Sequence, residues 1–281
     1  MEKTQALRVD SPLQLVTARL VAAMNARRDA LIVRSQHLVR FLDLRMETLI
    51  GGWLGVCMLV IAGKLLLASR QTDPGQNLLT MALPFAAAAL APLAGYVVAT
   101  GSFPRGMLGG LPELALCRYG RWKRLDPLDA RTNPAFGPFG FMASLIAGIL
   151  LNVPFRTFEY MLSIPAIPAS APQWAHTMLW TMTADVVVMN FFYMVCFVMA
   201  LRSVPLFPRR LLFAWIADIG MQFVIAQQLA QAPGLPQAVS LPLQHLLHGN
   251  IEKVLISAFV WLPYLILSER VNVTFRRRIR V

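Results

Sequence analysis

Charge is scarce in this sequence: Lys, Arg, Asp and Glu make up 14% of 281 residues, and acids are fewer still, 14 against 26 basic residues. With 57% hydrophobic residues and a mean hydropathy of +0.56, the composition excludes an ordinary soluble domain. Cysteine is also sparse. Cys57, Cys117 and Cys196 stand far apart, two of them in long apolar runs, which excludes a disulfide framework and a Cys-based metal site. Enzyme signatures are lacking: there is no Gly-rich phosphate loop with Lys, no His-Glu-x-x-His helix, no Gly-x-Ser-x-Gly elbow, and no Gly-x-Gly-Asp of membrane aspartyl proteases. No catalytic residue and no cofactor is therefore expected. Nor is a cleavable signal peptide, because charges run through residues 1–47 and the first long apolar run follows them; that run should stay as an anchor.

What is present is apolar length. A helix needs about 20 apolar residues to cross a hydrocarbon layer of about 30 Å. Residues 48–69, 78–100, 137–155, 177–201 and 211–231 meet or approach that length. A sixth run, 254–267, is short and must borrow residues 251–253 or thin the bilayer locally. The expected fold is all-α, a polytopic membrane protein of about six transmembrane helices. Its expected parts are a basic amphipathic N-terminal helix (1–47), a two-helix hairpin (48–100), a basic cytoplasmic loop (101–136), and a four-helix domain with an Arg-rich tail (137–281).

The net charge of +12 follows the path of the chain. Residues 1–47 hold eight Lys or Arg, 101–135 six, 202–210 three and the tail from 269 five. The opposite loops hold Arg70, Arg156 and Lys253, with Lys64 near the outer end of the first span, where it can snorkel. This bias places both termini in the cytoplasm and accounts for the basic composition without a nucleic-acid partner.

Ser11-Pro12 is a helix-start signal, and Leu13, Val16, Leu20, Met24, Leu31, Leu38 and Leu42 then recur at spacings of three, four and seven, with Arg19, Arg27, Arg28, Arg34 and Arg40 between them. This amphipathic helix, with a break expected near Asn25, suits anionic lipid at the cytoplasmic face of the bilayer, or a helix of another membrane protein. The Gly- and Pro-rich loop 101–135 should hold one short helix around residues 111–119, and Trp122 beside Arg121, Lys123 and Arg124 reads as an interfacial anchor.

Two acids fall inside expected spans, Asp185 and Asp218. A charge at the centre of a membrane helix costs about 2.5–3.5 kcal/mol on insertion scales, so such residues call for a role. Counting heights along the fourth and fifth spans gives a polar seam of Asp185, Asn190, Asp218, Gln222 and Gln227. It serves either as hydrogen-bonded glue between helices or as a path for a proton or small solute. No cation in spans four to six offers these acids a partner.

His245, His248 and Glu252, at i, i+3 and i+7, are weak metal candidates, because Gly249-Asn250 reads as a helix stop and 232–250 as a re-entrant or interfacial loop. Arg156 and Glu159 follow Pro154 and are expected to pair on a short interfacial helix at the outer surface. Gly140, Ser144 and Gly148, with Ala143 and Ala147, form a small-residue stripe suited to close helix packing, within the chain or with a partner subunit.

The last segment carries a resemblance. Trp261, Pro263 and Tyr264, then Ser268, Arg270 and Val271, then Thr274 and Phe275, resemble the closing signature of a bacterial inner-membrane family of four-helix proteins, catalogued as domain of unknown function 2569. The turn Phe207-Pro208-Arg209 looks like that family too, and the likeness covers roughly residues 137–281. It implies the bacterial cytoplasmic (inner) membrane and inward-facing ends, but no reaction or ligand. Asn272-Val273-Thr274 matches a glycosylation sequon on the side where it should never be used. The function expected is an accessory or scaffolding subunit of a membrane complex; the alternative is a small-solute or proton-coupled transporter using the acids of the fourth and fifth spans.

Overall fold

The computed structural model describes residues 12–70, 78–106, 109–112 and 120–281. Cys117 and most of the helix expected at 111–119 lie outside the described residues, as do the side chains of Leu13, Val16, Leu20, Met24 and Arg28. The described chain is all-helical apart from one pair of three-residue strands. Six of its helices are long and apolar enough to cross a membrane.

The first of them is a single rod. Helix α1 runs from Pro12 to Ser69, 58 residues, or roughly 87 Å at 1.5 Å per residue. The N-terminal helix and the first span are therefore one element, with no break at Asn25 and no boundary after Glu47. The physical reason is local: between Pro12 and Gly51 the sequence has neither Pro nor Gly and is rich in Leu, Ala, Arg and Met, all good helix formers. Of the expected apolar stripe, Leu42 is buried with Ser35, Val39 and Met46, whereas Leu31 and Leu38 are exposed.

Helices α2 (Leu78–Ser102), α4 (Phe141–Ser163), α5 (Gln173–Leu201), α6 (Phe207–Ala230) and α7 (Gln237–Leu267) complete the membrane-length set. Helix α5 is its axis: 61% of its apolar window is buried, against 6% for α1 and 11% for α7. A helix apolar on all sides belongs in the middle, and α5 packs against α2, α4 and α6. Gly95 permits the closest approach, since a Cβ there would sit 2.7 Å from the Phe191 carbonyl oxygen.

Two ends differ from expectation. Helix α4 continues through Pro154 to Ser163, well past residue 155, because Tyr160 and Met161 still face the core. Helix α7 passes through Gly249-Asn250 without stopping, so 237–267 is one 31-residue helix rather than a re-entrant loop and a short span. Lys64 does not snorkel: its Nζ donates to the Ile164 carbonyl at 2.6 Å and lies 4.8 Å from the Phe85 ring centroid.

The basic segments gather at one end. Arg105 pairs with Asp43 of α1 at 2.8 Å, and the Gly140 N–H donates to Ser35 Oγ at 2.7 Å. Strand β1 (Trp122–Arg124) pairs antiparallel with β2 (Arg278–Arg280), tying the α2–α4 connection, which also holds α3 (Pro127–Thr132), to the C-terminus. Trp122 accordingly lies in a strand, under the Arg278 guanidinium at 4.6 Å, and not as a free interfacial anchor.

The closing signature builds this end. Trp261 on α7 packs tilted against Phe141 at 4.9 Å, and Tyr264 meets the same ring edge-on at 5.0 Å. The chain then turns at Ser268 into α8 (Glu269–Arg276), where Val271 to Phe275 are all buried and Phe275 meets Phe207 at 5.1 Å. Thr274 Oγ1 accepts from the Gly137 N–H at 3.0 Å. Asn272 is the hub: its Nδ2 donates to the Ser268 and Ile266 carbonyls, and its Oδ1 accepts from Arg276 at 3.0 Å and Arg278 at 2.8 Å. The Arg-rich tail is thus fastened down, and the sequon asparagine is fully buried with its amide occupied.

Replacing Asn272 by Ala leaves two carbonyls and two guanidiniums short of a partner. We expect a loss of about 2–4 kcal/mol, seen as a lower melting temperature of the purified protein together with faster proteolysis after residue 268.

Candidate functional site

The site begins with the roughly two turns that α4 adds beyond the expected span. A Pro inside a helix removes one N–H, yet the apolar face continues past Pro154, and the helix carries Arg156 inward. Arg156 lies seven residues before Ser163, so it is about 10 Å inside the end of α4. It neither sits in an outer loop nor pairs with Glu159.

Its partners are the two intramembrane acids. Arg156 Nη2 donates to both Asp185 oxygens at 2.9 and 2.8 Å and to Asp218 Oδ1 at 2.7 Å, while Nη1 donates to Asp218 Oδ2 at 2.8 Å. The side chains of Asp185 and Asp218 are 4% and 1% exposed, that of Arg156 13%. The cation missing from spans four to six thus comes from the third. One guanidinium thus serves two carboxyl groups, so the centre holds one more acid than base.

Polar neighbours extend the centre across four helices. The Tyr193 hydroxyl donates to Asp218 Oδ2 at 2.7 Å, and Gln222 Nε2 to Asp185 Oδ1 at 3.2 Å. Asn250 Nδ2 donates to Gln222 Oε1 at 3.3 Å, which explains why α7 keeps Asn at this level: it faces the polar centre instead of stopping the helix. Asn190 Nδ2 donates to Thr157 Oγ1 at 2.7 Å. Among the described residues, Arg156 Nε and Asn190 Oδ1 are buried without a partner.

Of the seam expected from the sequence, Asp185, Asp218 and Gln222 are therefore brought to this centre; Asn190 is buried against Thr157 instead, and Gln227 is not part of it. Gln227 is exposed. It lies nine residues beyond Asp218, and at about 100° per residue that turns it to the opposite side of α6. Counting heights had ignored azimuth.

The centre opens on a cavity of about 630 Å³. Its walls come from α4 (Ile149, Asn152, Arg156) and α7 (Asn250, Val254, Ser257), and its floor from Tyr193, Trp215 and Asp218. Toward the basic end, the rings of Phe141, Trp261 and Tyr264 close the gap between α4 and α7. Toward the other end, Lys253 and Glu159 span it as an ion pair at 2.8 Å. The small-residue stripe lies along the same opening: Ser144 and Gly148 are exposed, and a Cβ at Gly148 would meet nothing within 4 Å. Ala143 is buried in the core and Gly140 packs against α1 through its bond to Ser35, while Ala147 is half-buried.

His245, His248 and Glu252 share α7 but are all exposed. No group of three His, Cys, Asp or Glu able to hold a metal occurs among the described residues. Cys57 and Cys196 are buried free thiols.

Comparison of the chain with protein families, with curated proteins and with solved structures finds no match. The reading of the centre therefore rests on its own geometry.

Sequence reasoning missed Arg156 itself. The available signal was that apolar residues resume after it, from Phe158 through Ile167, so that Pro154 need not end the span. Removing one partner of a buried ion pair costs about 3–5 kcal/mol, because the charge left behind has no compensation. Arg156→Gln strands two carboxylates, whereas Asp185→Asn or Asp218→Asn leaves a balanced pair. Thermal melting in detergent should therefore rank Arg156→Gln as clearly the least stable of the three.

Proposed function

We propose that the chain is a multi-pass protein of the bacterial cytoplasmic membrane, with both ends in the cytoplasm, whose helices α4 to α7 bind and pass a small polar solute or proton. The observation that carries this reading is that two members of the Arg156–Asp185–Asp218 centre, Arg156 and Asp218, line the 630 Å³ cavity. Glue between helices needs no access and leaves no donor idle. Here a cavity reaches Arg156, Asp218 and Tyr193, and Arg156 Nε stays unpartnered among the described residues. Well-packed apolar side chains would also hold the helices at least as firmly as a buried ion triad.

The orientation is supported by the gathering of the Lys- and Arg-rich segments at one end, which suits the cytoplasmic side. With two acids to one base, the centre favours a cation or an exchangeable proton over an anion.

A second reading, an accessory subunit of a membrane complex, is favoured by a separate observation. Helix α1 buries only 6% of its apolar window and carries exposed Leu31, Val33, Phe41 and Leu44 beside exposed Arg19, Arg27 and Arg34. That surface suits a partner helix or anionic lipid.

The experiment compares the native chain with Arg156→Met/Asp185→Leu/Asp218→Leu in liposomes holding a pH-sensitive dye and an imposed proton gradient. Replacing all three charges together spares the fold, and transport predicts that the native chain dissipates the gradient while the triple variant behaves as empty liposomes. Equal leakage from both would remove the transport reading. If removal of residues 12–34 then releases a co-purifying membrane protein, the accessory reading holds instead.

A further inference from the structure

A second cavity lies at the basic end, well away from the ion centre, and its walls come from every part of the chain that meets there. It measures about 450 Å³ and is bounded by Arg40 and Asp43 of α1, Arg105 and Arg131 of the α2–α4 connection, Arg202 of the α5–α6 turn, and Arg277 of the C-terminal segment. Five arginines thus face one carboxylate. Asp43 is already engaged, pairing with Arg105 at 2.8 Å.

We infer that this cavity is a binding site for a phosphate-bearing anion, the headgroup of an anionic phospholipid or a soluble phosphate compound. Three of the guanidiniums are held in place by main-chain oxygens. Arg202 donates to the Thr100 and Phe103 carbonyls, Arg131 to Gly106 at 2.8 Å and Arg277 to Gly109 at 2.5 Å. A guanidinium carries five N–H donors. Among the described residues Arg202 uses Nη1 alone in these bonds, and Arg131 and Arg277 use Nη2 alone, so donors remain on rigid forks of the kind that grip phosphate oxygens in pairs.

The charge of the cavity calls for an anion. Burial first, and then the neighbouring Arg131 and Arg124, hold the Arg277 pKa below its ordinary value, even with Asp126 nearby; burial and Arg105 do the same to Arg202. Positive charges crowded in this way are relieved by a bound anion. The cavity sits where α2 and α5 end and α4 and α6 begin, the level of a lipid headgroup, and its volume falls in the range of small-molecule sites.

The test titrates the detergent-purified full chain with short-chain phosphatidylglycerol, phosphatidylcholine or pyrophosphate and counts bound molecules by native mass spectrometry. One saturable molecule of phosphatidylglycerol or pyrophosphate is expected, with phosphatidylcholine retained poorly. Arg40→Gln/Arg131→Gln should weaken it roughly tenfold or more, as loss of charge-assisted bonds implies. Arg40→Gln alone is the control for folding, since Arg40 is exposed, and it should weaken binding in the same direction. Arg19→Gln/Arg27→Gln removes the same charge from the exposed face of α1 and should leave binding unchanged. Phosphatidylglycerol that pyrophosphate does not displace identifies a lipid headgroup, and displacement identifies a soluble phosphate compound. No saturable binding of either, equal retention of phosphatidylcholine, or equal weakening by the α1 pair would overturn the proposal.

Discussion

A guanidinium cannot rest in hydrocarbon without counter-charge, and Arg156 meets that demand with carboxylates from two other helices. The pairing fixes three helices at once. Helix α4 must run far enough past Pro154 to bring Arg156 to the level of Asp185 and Asp218, and α5 and α6 must turn both acids to the same side. The same centre sets the place of α7, whose Asn250 reaches it through Gln222 while the helix itself stands off from α4. The gap so created is the cavity. The interaction that makes these helices one unit therefore also places Arg156 and Asp218 on the lining of that cavity.

At the basic end the constraint is of another kind. Here the chain is wet enough to hydrogen-bond, and arginines act mainly as fasteners of backbone: Arg202 on the end of α2, Arg277 on the α2–α4 connection, Arg276 on the end of α7. The residues that resemble a family signature serve this architecture. Thr274, Phe275 and Val271 are buried in the clasp, and Trp261 and Tyr264 close one end of the cavity above it. None of them touches the ion centre.

Much of this was legible in the sequence, and the failures share a cause. The number of membrane-length helices and the grouping of basic segments follow from hydropathy and charge, quantities that add along the chain. Asp185 and Asp218 stand out because an acid in an apolar run has no bland explanation. Arg156 did not stand out, because beside Pro154 it looked like the start of a loop; Gly249-Asn250 and Asn25 were misread in the same way. In each case a local breaker was outweighed by tertiary contact or by strong helix formers on both sides, which a local rule does not weigh. Gln227 shows the other limit: height along a helix is read by counting, but facing requires the angle as well.

The central claim is that Arg156 bridges both acids within the membrane. Solid-state NMR on the chain in lipid bilayers, with labelled guanidinium nitrogens and carboxyl carbons, measures it directly. The account predicts dipolar couplings from Arg156 to the carboxyl carbons of both Asp185 and Asp218, at separations of about 3–4 Å as hydrogen-bonded ion pairs require. Couplings from Arg156 to lipid phosphate or water alone, with none to either carboxyl, would contradict it.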